Sequence, residues 1–132
     1  MKVTVDTNVL LRAIVPDDMK QFRTAAQLLR HEGAIFVSLP CLCEFAWALR
    51  SAYKFQRGEI AAAIEELIQA SNIVVNRQAV EAGLAMLYAG GDFADGILAF
   101  EGRQSGADTF VSFDKEAVKL LARQGHRSRL LS

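Results

Sequence analysis

Residues 1–11 read MKVTVDTNVLL, and this stretch combines a short strand with the start of a helix. The β-branched Val3 and Val5 favour a strand, and the apolar run that begins at Val9 favours a helix directly after it. Asp6 stands between the two elements, at the carboxyl end of the predicted strand. When strands and helices alternate along a chain in this way, a parallel sheet is the expected result.

The alternation of strands and helices continues to the end of the chain. The pattern of apolar residues predicts a helix at 19–31 and further strands at 34–38, 72–75, 109–113 and 129–131. The later helices are expected to begin close to Pro40, Gly58, Asn76, Asp92 and Asp114. We therefore expect an α/β fold in a single domain, residues 1–132, whose central and mostly parallel sheet of four or five strands is flanked by helices on both faces.

The composition is that of a globular domain. The 132 residues include 52% hydrophobic and 23% charged residues, and no apolar stretch approaches the ~20 residues that span a bilayer. The amino terminus has no signal-peptide pattern, so we expect a cytoplasmic protein without membrane association. The 15 basic and 15 acidic residues cancel, so a polyanionic partner would have to be held locally, by arginines and by metal.

Four carboxylates lie where apolar segments end, namely those of Asp6, Glu44, Asp95 and Asp114. In an open parallel sheet, ligands bind in the crevice beyond the carboxyl ends of the strands. Asp6 and Asp114 directly follow predicted strands, whereas Glu44 and Asp95 are in the first two turns of predicted helices. All four side chains could therefore converge on one edge of the sheet.

Each of these acids also has a structural interpretation. Aspartate is a preferred N-cap, so Asp6, Asp92 and Asp114 could each simply cap a helix, and Asp95 follows Asp92 at the three-residue spacing of a capping box. Glu44 resists this interpretation because it is the only charge in LCEFAWAL. A carboxylate surrounded by apolar groups costs several kcal/mol unless it is paired or coordinated. We therefore expect Glu44 to have a functional role.

The chemistry of the four acids indicates which ion they would bind. Carboxylate oxygens without histidine or cysteine favour a hard cation such as Mg²⁺ or Mn²⁺. Cys41 and Cys43 are two residues apart on a predicted helix and face different ways, so we expect core or near-core thiols. A bound Mg²⁺ or Mn²⁺ lowers the pKa of its water and neutralises charge on a phosphoryl oxygen. Phosphodiester hydrolysis is the reaction that this chemistry favours.

Four segments of the chain resemble the motifs of PIN-domain ribonucleases, in order and in approximate spacing. They are VDTNVLL at 5–11, CEFAWAL at 43–49, DFADGILA at 92–99 and TFVSFDK at 109–115. The resemblance covers essentially the whole chain. The compact length is similar to that of the VapC toxins of prokaryotic toxin–antitoxin pairs.

The resemblance implies roles for single residues. The acidic quartet that binds Mg²⁺, or Mn²⁺, would consist of Asp6, Glu44, Asp95 and Asp114. Asp6 and Asp95 would be its principal ligands. Asn8 and Ser112 match polar positions that help to orient acids or water in the family. Asp92 matches an accessory acid that often precedes the third motif.

For function, the resemblance implies endoribonucleolytic cleavage of RNA by metal-activated water, which leaves a 5′-phosphate. It also implies a cytoplasmic homodimer that a cognate VapB-like antitoxin inhibits. Trp47 could belong either to the ordinary core or to a surface for such a partner. The basic residues near the motifs, which could contact phosphates, are Arg12, Arg50, Lys54, Arg57 and Arg103.

Three other functions are alternatives to the nuclease. A haloacid-dehalogenase-like phosphatase would have D-x-D after its first strand, but the third residue here is Asn8. A receiver-like phosphoacceptor module would have adjacent acids, but Asp6 is followed by Thr7, and Glu44 would have no role. A catalytically silent PIN-type binding module would keep the fold, although the four intact acids favour an active enzyme.

Overall fold

The computed structural model describes residues 1–132 and contains seven helices and five strands, with one or two helices between successive strands. Their order is β1 (Lys2–Thr4), α1 (Thr7–Ile14), α2 (Met19–His31), β2 (Ala34–Phe36), α3 (Leu39–Ser51), α4 (Arg57–Gln69), β3 (Ile73–Val74), α5 (Arg77–Tyr88), α6 (Phe93–Gln104), β4 (Phe110–Ser112), α7 (Lys115–Arg123) and β5 (Ser128–Leu130). The later helices begin where the sequence predicts, except that Gly58 lies inside the first turn of α4 rather than before it. None of the helices combines the length and the apolar character needed to cross a bilayer.

All five strands run parallel to their neighbours, but they form two sheets. Strands β1, β2 and β3 pair in that order, with Lys2 opposite Ala34 and Ile35 opposite Ile73. Strand β4 pairs with β5 in a second sheet. The predicted α/β class and parallel pairing are confirmed, whereas the expected central sheet is divided. The strands have only two or three residues, so each has too few apolar positions to specify its neighbour. They also make few ladder hydrogen bonds.

The chain folds into two compact units, residues 1–76 and residues 77–132. In the first unit α1 contacts α2 and α3, and α3 contacts α4. Its largest fully buried side chains are those of Leu10, Ile35, Leu42, Phe45, Leu49, Ile60 and Ile64. The buried residues of α3 recur at intervals of three and four, so they form one stripe and the opposite side of this helix faces outward.

The start of α3 is fixed by local signals. The Ser38 hydroxyl accepts a hydrogen bond from the Cys41 N–H at 3.2 Å, which makes Ser38 the N-cap. Pro40 occupies the first turn, as predicted, where its missing N–H has no intrahelical partner to lose. These signals set the position of every later residue on α3, including Glu44.

In the second unit, α5 and α6 pack so closely that their interface requires glycine at two positions. A Cβ atom on Gly83 would lie 2.6 Å from the Phe93 ring, and one on Gly96 would lie 2.8 Å from the Cα of Gly83. The rest of this core includes the buried side chains of Met86, Ala99, Ala117, Leu120 and Leu121. The packing fixes α6, whose first turn carries Asp95.

Candidate active site

Asp6 is the N-cap of α1, as its structural interpretation predicted. Its Oδ1 accepts hydrogen bonds from the N–H groups of Asn8 at 3.0 Å and Val9 at 3.4 Å. Both bonds end on the same oxygen, so Oδ2 takes no part in the cap. Capping therefore leaves one carboxylate oxygen of Asp6 for a ligand, and the structural and functional interpretations are compatible.

Asp114 repeats this arrangement in the second unit. It is the N-cap of α7, and its Oδ1 accepts from the N–H groups of Glu116 at 3.0 Å and Ala117 at 3.2 Å. The Asp114 N–H donates to the Ser112 hydroxyl oxygen at 2.9 Å. Ser112 thus holds the backbone of Asp114, and the orienting role that the resemblance implies for it stays a prediction.

Asp6 and Glu44 line one cavity of the first unit. The cavity has a volume of about 340 Å³, and its walls also include Asn8 and Trp47. Glu44 reaches this cavity from the outward side of α3, where it is exposed. We refer to Asp6 and Glu44 as the acid pair.

The sequence argument from the apolar surroundings of Glu44 is wrong. Its neighbours in sequence, among them Leu42 and Phe45, are buried on the other side of α3, so Glu44 itself is exposed to water. A helix turns about 100° per residue, which places an exposed charge next to buried residues at no desolvation cost. Its place beside Asp6, and not its burial, supports a functional role for Glu44.

Asp95 is the acid with the least structural explanation. It lies half-buried in the first turn of α6, and Asp92 stands at the N-cap position without a side-chain cap hydrogen bond. The capping box that the spacing of these residues suggested is therefore not formed by the side chains. Only the backbone follows the pattern, with the Asp95 N–H donating to the Asp92 carbonyl oxygen at 3.2 Å.

The surroundings of Asp95 favour the protonated form of its carboxyl group. Partial burial raises the pKa of the Asp95 carboxyl, and the nearby negative charges of Asp92 and Asp114 raise it further. These three residues form a second group, which we call the acid trio. The trio concentrates negative charge around a carboxylate that is only partly hydrated.

Cys41 lies next to the acid pair, in surroundings that favour its neutral thiol. Burial raises the pKa of the Cys41 thiol, the negative charges of Asp6 and Glu44 act in the same direction, and a hydrogen bond from the Thr7 hydroxyl opposes them. Thiolate is the form that binds metal, and these effects disfavour it. The predicted core thiol is confirmed for Cys41, which is buried and free.

The acids fit a hard divalent cation by their chemistry. No group of three or more His, Cys, Asp or Glu side chains stands in an arrangement that could by itself hold a metal ion. The candidate donors are carboxylate oxygens, the type that Mg²⁺ and Mn²⁺ prefer. Asp92 and Asp114 add negative charge around the partly buried Asp95, and a cation would neutralise that charge.

The basic residues that were candidates for phosphate contacts have different surroundings in the structure. Arg12 is already engaged, since its guanidinium donates to Asp17 at 3.1 Å and Tyr53 at 3.2 Å. Arg103 lines a cavity with His126 near the carboxyl end of α6, whereas Asp95 is at the amino end. Arg50 is exposed on α3.

The sequence left Trp47 open between the ordinary core and a partner surface, and the structure decides between the two. Its side chain is 71% exposed, so it is not part of the ordinary core. It lies one helical turn after Glu44 and lines the same cavity as the acid pair. The three-residue spacing from Glu44 was the signal in the sequence, because residues three apart share a helix face.

A family model described as PIN domain matches residues 3–123. The matched segment contains all four acids and extends across both units. No curated protein gives a significant match to the chain. PIN domains are generally nucleases that act on nucleic acid, and they typically depend on divalent metal.

Proposed function

The chain belongs to the PIN-domain family, and from that premise we propose that it is an endoribonuclease that requires Mg²⁺ or Mn²⁺ and serves as the toxin of a toxin–antitoxin pair. Nuclease activity is the general property of the family, whereas RNA as substrate, the choice of ion and the toxin role belong to our proposal. We further propose that residues 1–132 act as one functional domain, since the family match extends across both units.

One observation carries this proposal, namely the charge around Asp95. Partial burial raises the pKa of its carboxyl, and the two nearby carboxylates of Asp92 and Asp114 raise it further. Like charges held together destabilise a fold, and perturbed carboxyl groups of this kind cluster at functional sites. A divalent cation among the acids would turn this repulsion into attraction. Metal-dependent phosphodiester hydrolysis is the activity that uses such a site.

In this proposal, the four acids of the quartet hold the ion. Asp6 and Asp95 are the principal ligands, and Glu44 and Asp114 complete the set. A bound Mg²⁺ or Mn²⁺ supplies a water of lowered pKa and neutralises charge on the phosphoryl oxygen. Asp92 lies close enough to Asp95 to influence its charge, which supports the role of an accessory acid.

Backbone N–H groups and polar side chains orient the carboxylates of the site. The first N–H groups of α1 and α7 hold one oxygen of Asp6 and one oxygen of Asp114, so each carboxylate is oriented before a ligand arrives. Ser112 accepts from the Asp114 N–H and fixes the turn after β4. Asn8 lines the cavity of the acid pair, from which its amide could orient a water molecule.

A groove in the first unit supports the proposed VapB-like antitoxin partner. It has a volume of about 460 Å³ and lies between α1 and α2. Its apolar wall residues are Val9, Ala25 and Leu28, and its charged ones are Arg12, Asp18 and Lys20. A lining that combines apolar and charged side chains suits an amphipathic helix. We propose that the cognate antitoxin binds this groove, and that the toxin is a cytoplasmic homodimer.

The test of the enzyme is cleavage of RNA by the purified protein with Mg²⁺, with Mn²⁺ and with EDTA. Asp6→Asn should lower the rate about 100-fold or more, because a lost ligand removes several kcal/mol of transition-state stabilisation. Asp18→Asn is the matched control, since Asp18 also caps a helix, through a 3.1 Å bond from the Gln21 N–H, but lies outside the quartet. It should cleave at the wild-type rate.

Each outcome of this assay has a definite meaning. Cleavage that persists in EDTA, or in Asp6→Asn, would refute the metal site. No cleavage of any RNA would favour the catalytically silent binding module. The toxin role has its own test, since expression without the antitoxin should arrest growth and Asp95→Asn should relieve the arrest. Harmless expression of an active enzyme would point to a housekeeping nuclease.

A further inference from the structure

The outward side of α3 presents an acid, an aromatic and a base in succession. Glu44, Trp47 and Arg50 are all exposed and follow one another at three-residue intervals. At 1.5 Å per residue, neighbouring members of this row are about 4.5 Å apart along the helix axis. Residues three apart are neighbours on a helix surface, so Trp47 adjoins both Glu44 and Arg50, which are themselves about 120° apart around the axis. A ligand that lies along α3 could therefore contact all three side chains.

Trp47 lies where it could contact the same ligand as the acid pair. It lines the same cavity of about 340 Å³ as Asp6 and Glu44. Its indole is 71% exposed, so most of its aromatic surface is available to a ligand. An exposed tryptophan leaves a large apolar area in water, which a folded chain does not require for its own stability.

The surroundings of Trp47 favour a nucleic acid over a protein partner. Its neighbours three residues away on α3 are charged, with Glu44 on one side and Arg50 on the other, and both are exposed. Glutamate is depleted in the core of a stable protein interface, whereas arginine is common there, so Glu44 is the residue that disfavours such an interface. Stacking on a base needs only one aromatic ring and tolerates charge around it.

Two arginines lie beyond Trp47 along the chain, at the end of α3 and the start of α4. Arg50 and Arg57 line a second cavity of the first unit, of about 460 Å³. Arginine contacts phosphate through a planar, bidentate fork. The order along the surface is therefore acid, aromatic and base, which corresponds to a scissile phosphate, an adjacent base and a further phosphate of the same strand.

We propose that Trp47 stacks on an unpaired nucleobase next to the scissile phosphate, and that Arg50 contacts the backbone of the same strand. This inference rests on the proposed function and makes it more specific, because the substrate must then be single-stranded or unstacked at the cleavage site. Bases within a duplex are already stacked on their neighbours and cannot present a face to Trp47.

The chain offers a direct spectroscopic test, since Trp47 is its only tryptophan. The wild-type protein is titrated with a single-stranded RNA oligonucleotide, with Ca²⁺ in place of Mg²⁺ and with intact RNA verified on a gel. Stacking should quench the tryptophan fluorescence and protect it from acrylamide. The same oligonucleotide annealed to its complement is the control ligand, and it should leave the fluorescence unchanged.

Substitution then measures the size of the effect by the anisotropy of labelled RNA. Trp47→Ala should weaken binding of the single strand by roughly 5- to 150-fold, and Trp47→Phe should restore most of the affinity because phenylalanine keeps a stacking face. Tyr88→Ala is the matched control, since Tyr88 is another exposed aromatic, on α5, and it should bind as the wild type does. Arg50→Ala should weaken the binding and reduce its salt dependence.

Three results would overturn the inference. The first is RNA binding, seen by anisotropy, without any change of Trp47 fluorescence. The second is equal binding by Trp47→Ala and the wild type. The third is a change of Trp47→Ala from dimer to monomer in analytical ultracentrifugation, which would assign Trp47 to a protein interface. Quenching by RNA without any metal-dependent cleavage would instead refute the proposed enzyme and leave the stacking intact.

Discussion

The aspartates at the helix starts show that a capping residue and a ligand can be the same side chain. The sequence alone treats these roles as rivals for Asp6 and Asp114. In the structure, each cap uses Oδ1 for both of its hydrogen bonds, so one oxygen is committed and the other is not. The two roles are compatible because they use different oxygen atoms of one carboxylate, and a sequence does not specify which oxygen makes a bond.

Two substitutions at Asp114 should separate its two roles. Asparagine caps a helix about as well as aspartate, whereas alanine loses the cap at a cost of about 1 kcal/mol. We expect Asp114→Asn to unfold at nearly the wild-type urea concentration and Asp114→Ala to be less stable by that amount. Both variants should cleave RNA poorly. Equal stability of the two variants would contradict the role of Asp114 as the cap of α7.

Asp95 should make the stability of the metal-free protein depend on pH. Its pKa is raised in the folded state, mainly by burial and then by Asp92 and Asp114, so the folded chain holds this proton more tightly than the unfolded chain. The resulting stability is fully present below the unfolded pKa of ~3.9 and is lost as the pH rises through the folded pKa. Above this window Asp95→Asn should therefore be the more stable protein.

Urea unfolding in EDTA across this pH range, for the wild type and Asp95→Asn, measures the effect. The difference in unfolding free energy between the two should change with pH in the window and level off above it. Glu101→Gln is the matched control, because Glu101 is exposed on the same helix and its removal should give no such change. A difference between wild type and Asp95→Asn that is constant with pH would contradict the raised pKa.

At the scale of elements, the position of α6 depends on a close backbone contact with α5 that leaves no room for a side chain at Gly96. A Cβ atom on Gly96 would meet the Ala82 carbonyl oxygen and the Cα of Gly83 on α5. We expect Gly96→Ala to destabilise the protein by about 1–3 kcal/mol, because the backbones must move apart. Since Asp95 is the preceding residue, the same shift should also lower nuclease activity.

Gly102→Ala is the control for this prediction. Gly102 lies on the same helix, but a Cβ there would meet only the Ala107 side chain at 3.9 Å, an ordinary contact. Alanine has a higher helix propensity than glycine by about 1 kcal/mol, so this variant should be as stable as the wild type or more so. Thermal unfolding of both variants makes the comparison. Similar effects of the two substitutions would rule out the close α5–α6 approach as the cause.

Most elements could be predicted because their signals are local. Helix α2 has the predicted bounds, and the starts of α5, α6 and α7 follow Asn76, Asp92 and Asp114 as expected. The error at Glu44 has a different origin. The sequence shows which residues adjoin it along the chain, but burial depends on which side of α3 faces the core. A helical wheel of LCEFAWAL would have shown Glu44 and Trp47 on the side opposite to Leu42 and Phe45.

At the scale of the whole molecule, the alternation of strands and helices predicted the α/β class, but not the pairing of strands. Every strand is parallel, as expected, yet β4 and β5 pair apart from the other three. Strand pairing depends on hydrogen bonds between residues far apart in sequence, as for Ile35 and Ile73. The order of the acidic motifs was predictable from the resemblance, and their convergence on one ion stays a prediction.

A divalent cation should stabilise the whole chain if the acids bind it only in the folded state. At ten times the dissociation constant, a ligand of this kind adds about 1.4 kcal/mol to the unfolding free energy. For a chain of this size we expect the melting temperature to rise by a few degrees when Mg²⁺ is added. Calorimetry with Mg²⁺, and with NaCl at equal ionic strength, distinguishes specific binding from screening. Asp95→Asn should lose most of the increase.

The bonds that hold Asp6 and Asp114 come from the first turns of two helices, and helix ends open more readily than helix centres. When a helix end opens, its cap hydrogen bonds break and the carboxylate rotates freely, so it no longer has the orientation that a ligand would use. Heating should therefore inactivate the nuclease before the chain unfolds, with amide exchange at Asn8 and Glu116 rising in step. The upper temperature limit of catalysis would then be set by the fraying of two helix ends, and not by the melting of the core.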